Sequence, residues 1–220
     1  MTTSTDTTLC INCGKATADQ LVCSGCGVVA SPAADPDYFT LFDLPRKLTI
    51  DLADLTQRYY ALSRRFHPDL FSDRAPAEQA ASLRLSAQVN RAYQILKDPV
   101  RRGLYWLALH GESLGRDNER VPAELAALVF DVQEKLEELR AARAAGERPA
   151  IDELRPVQRE LHARMQAFGD RLATHFARSD AEDGNGTGAL AETKRILSEI
   201  HYLRTLLRDV DKELEPAWNA

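Results

Sequence analysis

Three stretches in the C-terminal half each carry one apolar stripe at helical spacing, and that repetition limits the folds open to the chain. Ile196, Ile200, Leu203, Leu207, Val210 and Leu214 step by four and three residues, which is one face of a helix at 3.6 residues per turn. Leu125, Val129, Val132, Leu136 and Leu139 do the same, as do Leu154, Leu161, Phe168, Leu172 and Phe176. Polar breaks fall at "GERP" (146–149) and "AEDGNGTG" (181–188). Helices with one apolar face each, joined by short loops, can bury those faces only against one another. The spacing predicts an antiparallel three-helix bundle over 122–214. No β-periodic run of useful length follows residue 30, so the fold class is mainly α.

Upstream, residues 38–110 read as a separate helical-hairpin domain, bounded by "SPAADPD" (31–37) and "GESLGRDNER" (111–120). A first long helix is predicted from Asp51, an N-cap residue, with Leu52, Leu55, Tyr59, Leu62 and Phe66 on one face. Pro68 lacks an N–H and disfavours helical geometry at His67, so that helix ends there. The next helix carries Leu85, Val89, Tyr93 and Leu96 and can lie antiparallel on the first. His67, Pro68 and Asp69 then form the tip of a hairpin, with Arg58, Arg64 and Arg65 beside it.

A His beside an Asp raises the possibility of catalysis. Nucleophilic chemistry needs a Ser or Cys activated by the His, and nothing in the sequence marks one out. His110, His162, His175 and His201 form no H-E-x-x-H or similar ligand pattern. The chain is therefore expected not to be an enzyme.

All four cysteines lie in the first 26 residues, as "CINCG" and "CSGCG". Cys10, Cys13, Cys23 and Cys26 form two C-x2-C pairs, and two cysteines so spaced can grip one tetrahedral ion in a tight turn. A closed structural zinc site, an iron thiolate cage and a pair of disulfides all fit four thiols. The opening "MTTSTDTTL" has no secretory pattern, which disfavours disulfides. Residues 1–30 are read as a small four-cysteine module with one structural zinc per chain. Four thiolates leave no open coordination position, so hydrolytic chemistry is not expected there.

The formal net charge of −5 argues against a nucleic-acid binder that relies on a global basic field. No stretch approaches a membrane span, and no presequence is visible, so a cytoplasmic protein is expected with neither nucleic acid nor membrane as partner.

"HPD" alone is a short word. With "VNRAYQILKDPVRR" (89–102) downstream it resembles the J-domain of DnaJ-type co-chaperones, and "DYFTLFDLP" (37–45) and "LYWLALHG" (104–111) are similar to the HscB-type J-proteins of iron-sulfur cluster biogenesis. The resemblance spans roughly 38–214 and implies a J-domain followed by a small three-helix domain. The Cys pairs resemble the zinc-binding extension of animal members. The resemblance further implies that His67, Pro68 and Asp69, with Arg58, Arg64 and Arg65, dock on a DnaK-class (HscA-like) chaperone and stimulate its ATP hydrolysis. Leu70 stands where many members have Lys.

A second surface is expected on the bundle. Rotation by about 100° per residue puts Phe130 opposite the stripe of the 122–145 helix, with Ala127, Asp131, Glu134 and Glu138 around it, and puts Tyr202 about 120° from the stripe of the last helix. An aromatic ring among carboxylates is unusual on a solvated face. The resemblance implies that this face, through Ala126, Ala127, Phe130, Asp131, Glu134, Glu138 and Tyr202, holds the iron-sulfur scaffold protein (IscU-like). Related proteins often carry larger apolar residues at the two alanines. The expected function is a co-chaperone that delivers the scaffold to the ATPase for cluster assembly or transfer. The alternatives are a general J-protein with another client, its bundle a dimerisation or docking module, and a zinc-ribbon nucleic-acid adaptor, which the acidic balance disfavours.

Overall fold

The computed structural model describes Lys15 and residues 37–114, 121–147, 151–182 and 187–214. Cys10, Cys13, Cys23 and Cys26, with the zinc expected on them, lie outside the described residues. The helices are α1 (Tyr38–Leu41), α2 (Leu52–Arg65), α3 (Pro76–Lys97), α4 (Pro99–Leu109), α5 (Ala126–Ala144), α6 (Leu154–Ala181) and α7 (Thr187–Leu214). Short 3-10 turns occupy Pro68–Phe71, Ala123–Leu125 and Ile151–Glu153, and no strand occurs among the described residues. The described residues are mainly helical, as their periodicity predicts. It divides into two compact units between Asp98 and Pro99.

In the first unit, Asp51 caps α2 by accepting from the amides of Ala53 at 2.8 Å and Asp54 at 3.3 Å. Antiparallel packing follows from cross-helix pairs: Thr56 early in α2 meets Tyr93 late in α3, whereas Phe66 at the end of α2 meets Ser82 and Ser86 early in α3. Phe39, Phe42, Leu48, Leu55, Phe66, Leu85, Val89 and Leu96 fill the core between them. Leu52, expected on the apolar stripe, is instead 49% exposed.

In the second unit, Leu125, Val132, Leu136 and Leu139 of the α5 segment meet Leu154, Val157 and Leu161 of α6 and Leu203, Leu206 and Val210 of α7. Val129, Phe168, Leu207 and Leu214 pack at the rim of that core, half-buried. Leu197 and Leu206 are buried on α7 although the stripe omits them. A helix with neighbours on more than one side needs a wider apolar face, and α7 packs on α4, α5 and α6. The helix α4 thus groups with the bundle, one helix earlier than a division near residue 110. The reason is close approach at Gly103, where a Cβ would stand 3.1 Å from Leu197 Cδ1 and Phe176 Cζ. Charged side chains tie the same helices together: Glu213 on α7 pairs with Arg140 at 3.0 Å and with Arg143, both on α5.

Candidate functional site

The tip of the α2–α3 hairpin is built by the end of α2 and the proline after it. Phe66 is the C-cap of α2, 1% exposed, and its N–H still donates to Leu62 O. At His67 the backbone turns to an extended conformation, with φ −60° and ψ 130°, which the following proline favours. A single 3-10 turn follows, closed by Leu70 N donating to His67 O at 3.0 Å. His67 caps that turn, its Nδ1 accepting from the Asp69 amide at 3.3 Å. The same Nδ1 lies 3.5 Å from Asp69 Oδ2.

The tip faces solvent. Side-chain exposure is 57% at His67 and 87% at Asp69, and Leu70 is 62% exposed. The loop therefore presents one imidazole donor, one carboxylate and one apolar side chain within four residues.

Three polar residues of α3 that the sequence reading did not single out hold this loop. Ser82 Oγ and Ser86 Oγ both donate to the Phe66 carbonyl, at 2.9 and 2.8 Å. Gln79 Nε2 donates to Ser72 O at 2.8 Å and to Arg74 O at 2.9 Å, holding the far side. The signal was available: Ser82 and Ser86 interrupt the buried face that also carries Ala81, Leu85 and Val89. A serine pair four residues apart on a core-facing stripe calls for an acceptor.

The expected basic residues separate into two groups. Arg64 and Arg65 are exposed in the last turn of α2 and make no salt bridge among the described residues, and the Arg65 guanidinium lies 5.3 Å from the Phe66 ring centroid. Arg58 is engaged within the domain. Its Nε donates to the Asp54 carboxylate at 3.0 Å, and its Nη1 donates to Phe42 O, Asp43 O and Asp43 Oδ2. The Asp54 hydrogen bond leads the interactions that raise its pKa above the usual value, burial working against them. Asp43 has φ 51°, a backbone conformation that L-residues rarely adopt, and Arg58 braces that turn. Arg58 thus pins the α1–α2 connection, with 35% of its side chain still exposed.

On the bundle, Ala126, Ala127, Phe130, Asp131, Glu134 and Glu138 are all exposed on α5, with Phe130 at 68%. That face is apolar at its start and acidic along its length. Tyr202 is different. It is half-buried against the bundle core, its ring 6.4 Å from that of His201 in an edge-on arrangement. Its position 120° from the stripe is not a fully outward one, because the wide buried face of α7 reaches it. Among the described residues no group of three or more His, Cys, Asp or Glu side chains could hold a metal, and no helix is long and apolar enough to cross a membrane.

Residues 37–105 match the DnaJ domain family model. The human iron-sulfur cluster co-chaperone protein HscB is 31% identical over 202 residues, covering 90% of this chain and 78% of the human protein. The mouse protein of the same name is 27% identical, with 90% and 79% coverage. The crystal structure of human co-chaperone protein HscB superposes with a TM-score of 0.71 at 27% identity, covering 94% of this chain and 99% of that one. Chaperone HscB from Vibrio cholerae gives 0.56 at 27% identity, with 80% and 96% coverage.

Proposed function

The chain belongs to the HscB family of J-domain iron-sulfur cluster co-chaperones, and we propose on that ground that it stimulates the ATPase of a DnaK-class (HscA-like) chaperone and delivers an iron-sulfur scaffold protein (IscU-like) to it. The observation that carries the reading is the exposed His67-Pro68-Asp69 turn at the end of a helical hairpin. Its groups suit docking rather than chemistry: an imidazole N–H, a carboxylate and Leu70 at the tip, with the exposed Arg64 and Arg65 behind them. Two exposed cations can attract an acidic surface, while the carboxylate needs a cationic partner on it. The chain itself breaks no bond of the nucleotide and is not an enzyme in this reading.

The outward α5 face supplies the second contact. Phe130 is an aromatic anchor surrounded by Asp131, Glu134 and Glu138, which suits a partner with an apolar pocket rimmed by basic residues. Ala126 and Ala127 allow close approach of such a partner but add little apolar area of their own. Holding client and ATPase on one chain raises the effective concentration of each for the other. Neither nucleic acid nor membrane enters this reading. In this reading Cys10, Cys13, Cys23 and Cys26 would hold a structural zinc, their four thiolates leaving no open coordination position.

The test is ATPase stimulation of a DnaK-class chaperone by the full chain, with and without scaffold protein. His67→Gln is expected to abolish stimulation while leaving the helical fold and scaffold capture intact. Full stimulation by that variant would remove the mechanism. A chain that stimulates the ATPase yet does not capture the scaffold would favour a general J-protein with another client.

A further inference from the structure

We propose that Ser82 and Ser86 are positioning residues for the chaperone-docking loop. They set the direction in which His67, Pro68 and Asp69 leave α2, and through it the efficiency of ATPase stimulation. The inference rests on the stimulation reading above and assigns to α3 a part in it beyond packing.

The Phe66 carbonyl is the point at issue. In a continuing helix it would accept from the amide of Leu70, but that amide is turned to His67 O by the 3-10 turn. Pro68 has no N–H to offer in its place. The carbonyl belongs to a buried residue, so an acceptor there must find a protein donor. It finds two. Ser82 is fully buried and Ser86 half-buried, and both hydroxyls converge on the one oxygen.

Helical serines commonly turn back to the carbonyl four residues earlier; these two reach across to the neighbouring helix instead. Two donors from successive turns of α3 restrain both the position and the direction of the acceptor. The peptide plane that contains Phe66 O also contains the N–H of His67, because a peptide unit is rigid. Restraining that oxygen therefore restrains the first bond vector of the loop. Gln79 does the same at the other end, through Ser72 O and Arg74 O. Between the two anchors, the tip is suspended from α3 at both ends.

The experiment compares Ser82→Ala/Ser86→Ala with the unaltered full-length chain in a titration of DnaK-class ATPase. Maximal stimulation is expected to fall about tenfold, short of the roughly hundredfold that a misplacement on the order of 1 Å can cost at a reacting centre. The concentration for half-maximal stimulation, to which Arg64 and Arg65 contribute from α2 outside the loop, should change less than the maximum. Amide exchange at Leu70 should accelerate, whereas exchange in the centre of α2 should not. Ser86→Thr keeps a hydroxyl and should retain stimulation. Val89→Ala, a core change away from the loop, controls for lost stability and should leave the maximum unchanged at a temperature where the variants are folded. If the double variant fails to fold, Ser86→Ala alone gives the same comparison. Unchanged maximal stimulation without the hydroxyls, or an equal drop in Val89→Ala, overturns the proposal. No stimulation by the unaltered chain overturns instead the reading on which it rests.

Discussion

Tyr59 of α2 and Tyr93 of α3 stack with ring centroids 4.1 Å apart and planes 15° from parallel. Each ring also carries a hydrogen bond across the hairpin, Tyr59 Oη to Asn90 Oδ1 at 2.9 Å and Tyr93 Oη with Thr56 Oγ1 at 3.2 Å. The stack sits about two turns from the loop and sets the register of the helices that display it. Leucine at either position is predicted to lower the stability of the hairpin domain. A double-mutant cycle of Tyr59→Leu and Tyr93→Leu, followed by urea unfolding, should return a coupling of about 0.5–1.5 kcal/mol. A coupling near zero would mean that the rings merely fill space.

Phe130 and Tyr202 should part company on mutation. Phe130→Ala removes a ring that is 68% exposed and should change stability by no more than about 0.5 kcal/mol while weakening scaffold capture. Tyr202→Ala also removes a ring packed on the bundle core and should destabilise the domain by about 1–3 kcal/mol. Thermal melting and pull-down with purified scaffold, run in parallel, distinguish the two. Unaltered capture by Phe130→Ala would exclude the α5 face as the client surface.

Glu199 gives the bundle a predicted pH response. Its carboxylate is 1% exposed between Arg171 at 3.2 Å and Arg195 at 3.0 Å. Burial pushes its pKa up to about 7 from an ordinary 4.5, Arg171 pulling the other way and Glu124 and Glu192 adding to the rise. Folding therefore takes up a proton between those values. The resulting stability is complete below about 4.5 and is lost as the pH rises through about 7. His175 opposes it: burial lowers its pKa from 6.5, so acidification below that value costs stability. Thermal melting of Glu199→Gln should lose the fall in stability between pH 4.5 and 7, leaving the opposite slope that His175 contributes. Identical profiles would exclude Glu199 as the titrating group.

One zinc per chain is expected on Cys10, Cys13, Cys23 and Cys26. Native mass spectrometry before and after chelation should show its loss, with faster amide exchange confined to residues 1–30 and unchanged melting of the helices. Iron with thiolate-to-iron absorption would replace that assignment with a redox-active one.

Much of this architecture is legible along the chain because it is local. Asp51 caps α2 where its side chain can reach the next amides, Pro68 ends the helix by lacking an N–H, and the stripes through Leu136, Leu161 and Leu203 mark the buried faces. The same locality explains the exposure of Phe130, which lies opposite one such stripe.

What escaped the sequence depends on which atoms meet across helices. Arg58 looks like any exposed cation until α1 brings the carbonyls of Phe42 and Asp43 to it. Ser82 and Ser86 look like gaps in an apolar face until the Phe66 carbonyl arrives between them. Gly103 looks like a helix weakness until Leu197 and Phe176 close on it, and Tyr202 looks outward until a wide core reaches it. By itself the sequence determined where helices start, stop and turn their apolar sides, since those choices follow from neighbouring residues. Only the tertiary structure decided which polar groups are occupied and which are free to bind, because a donor is assigned by distance in space and not by position in the chain.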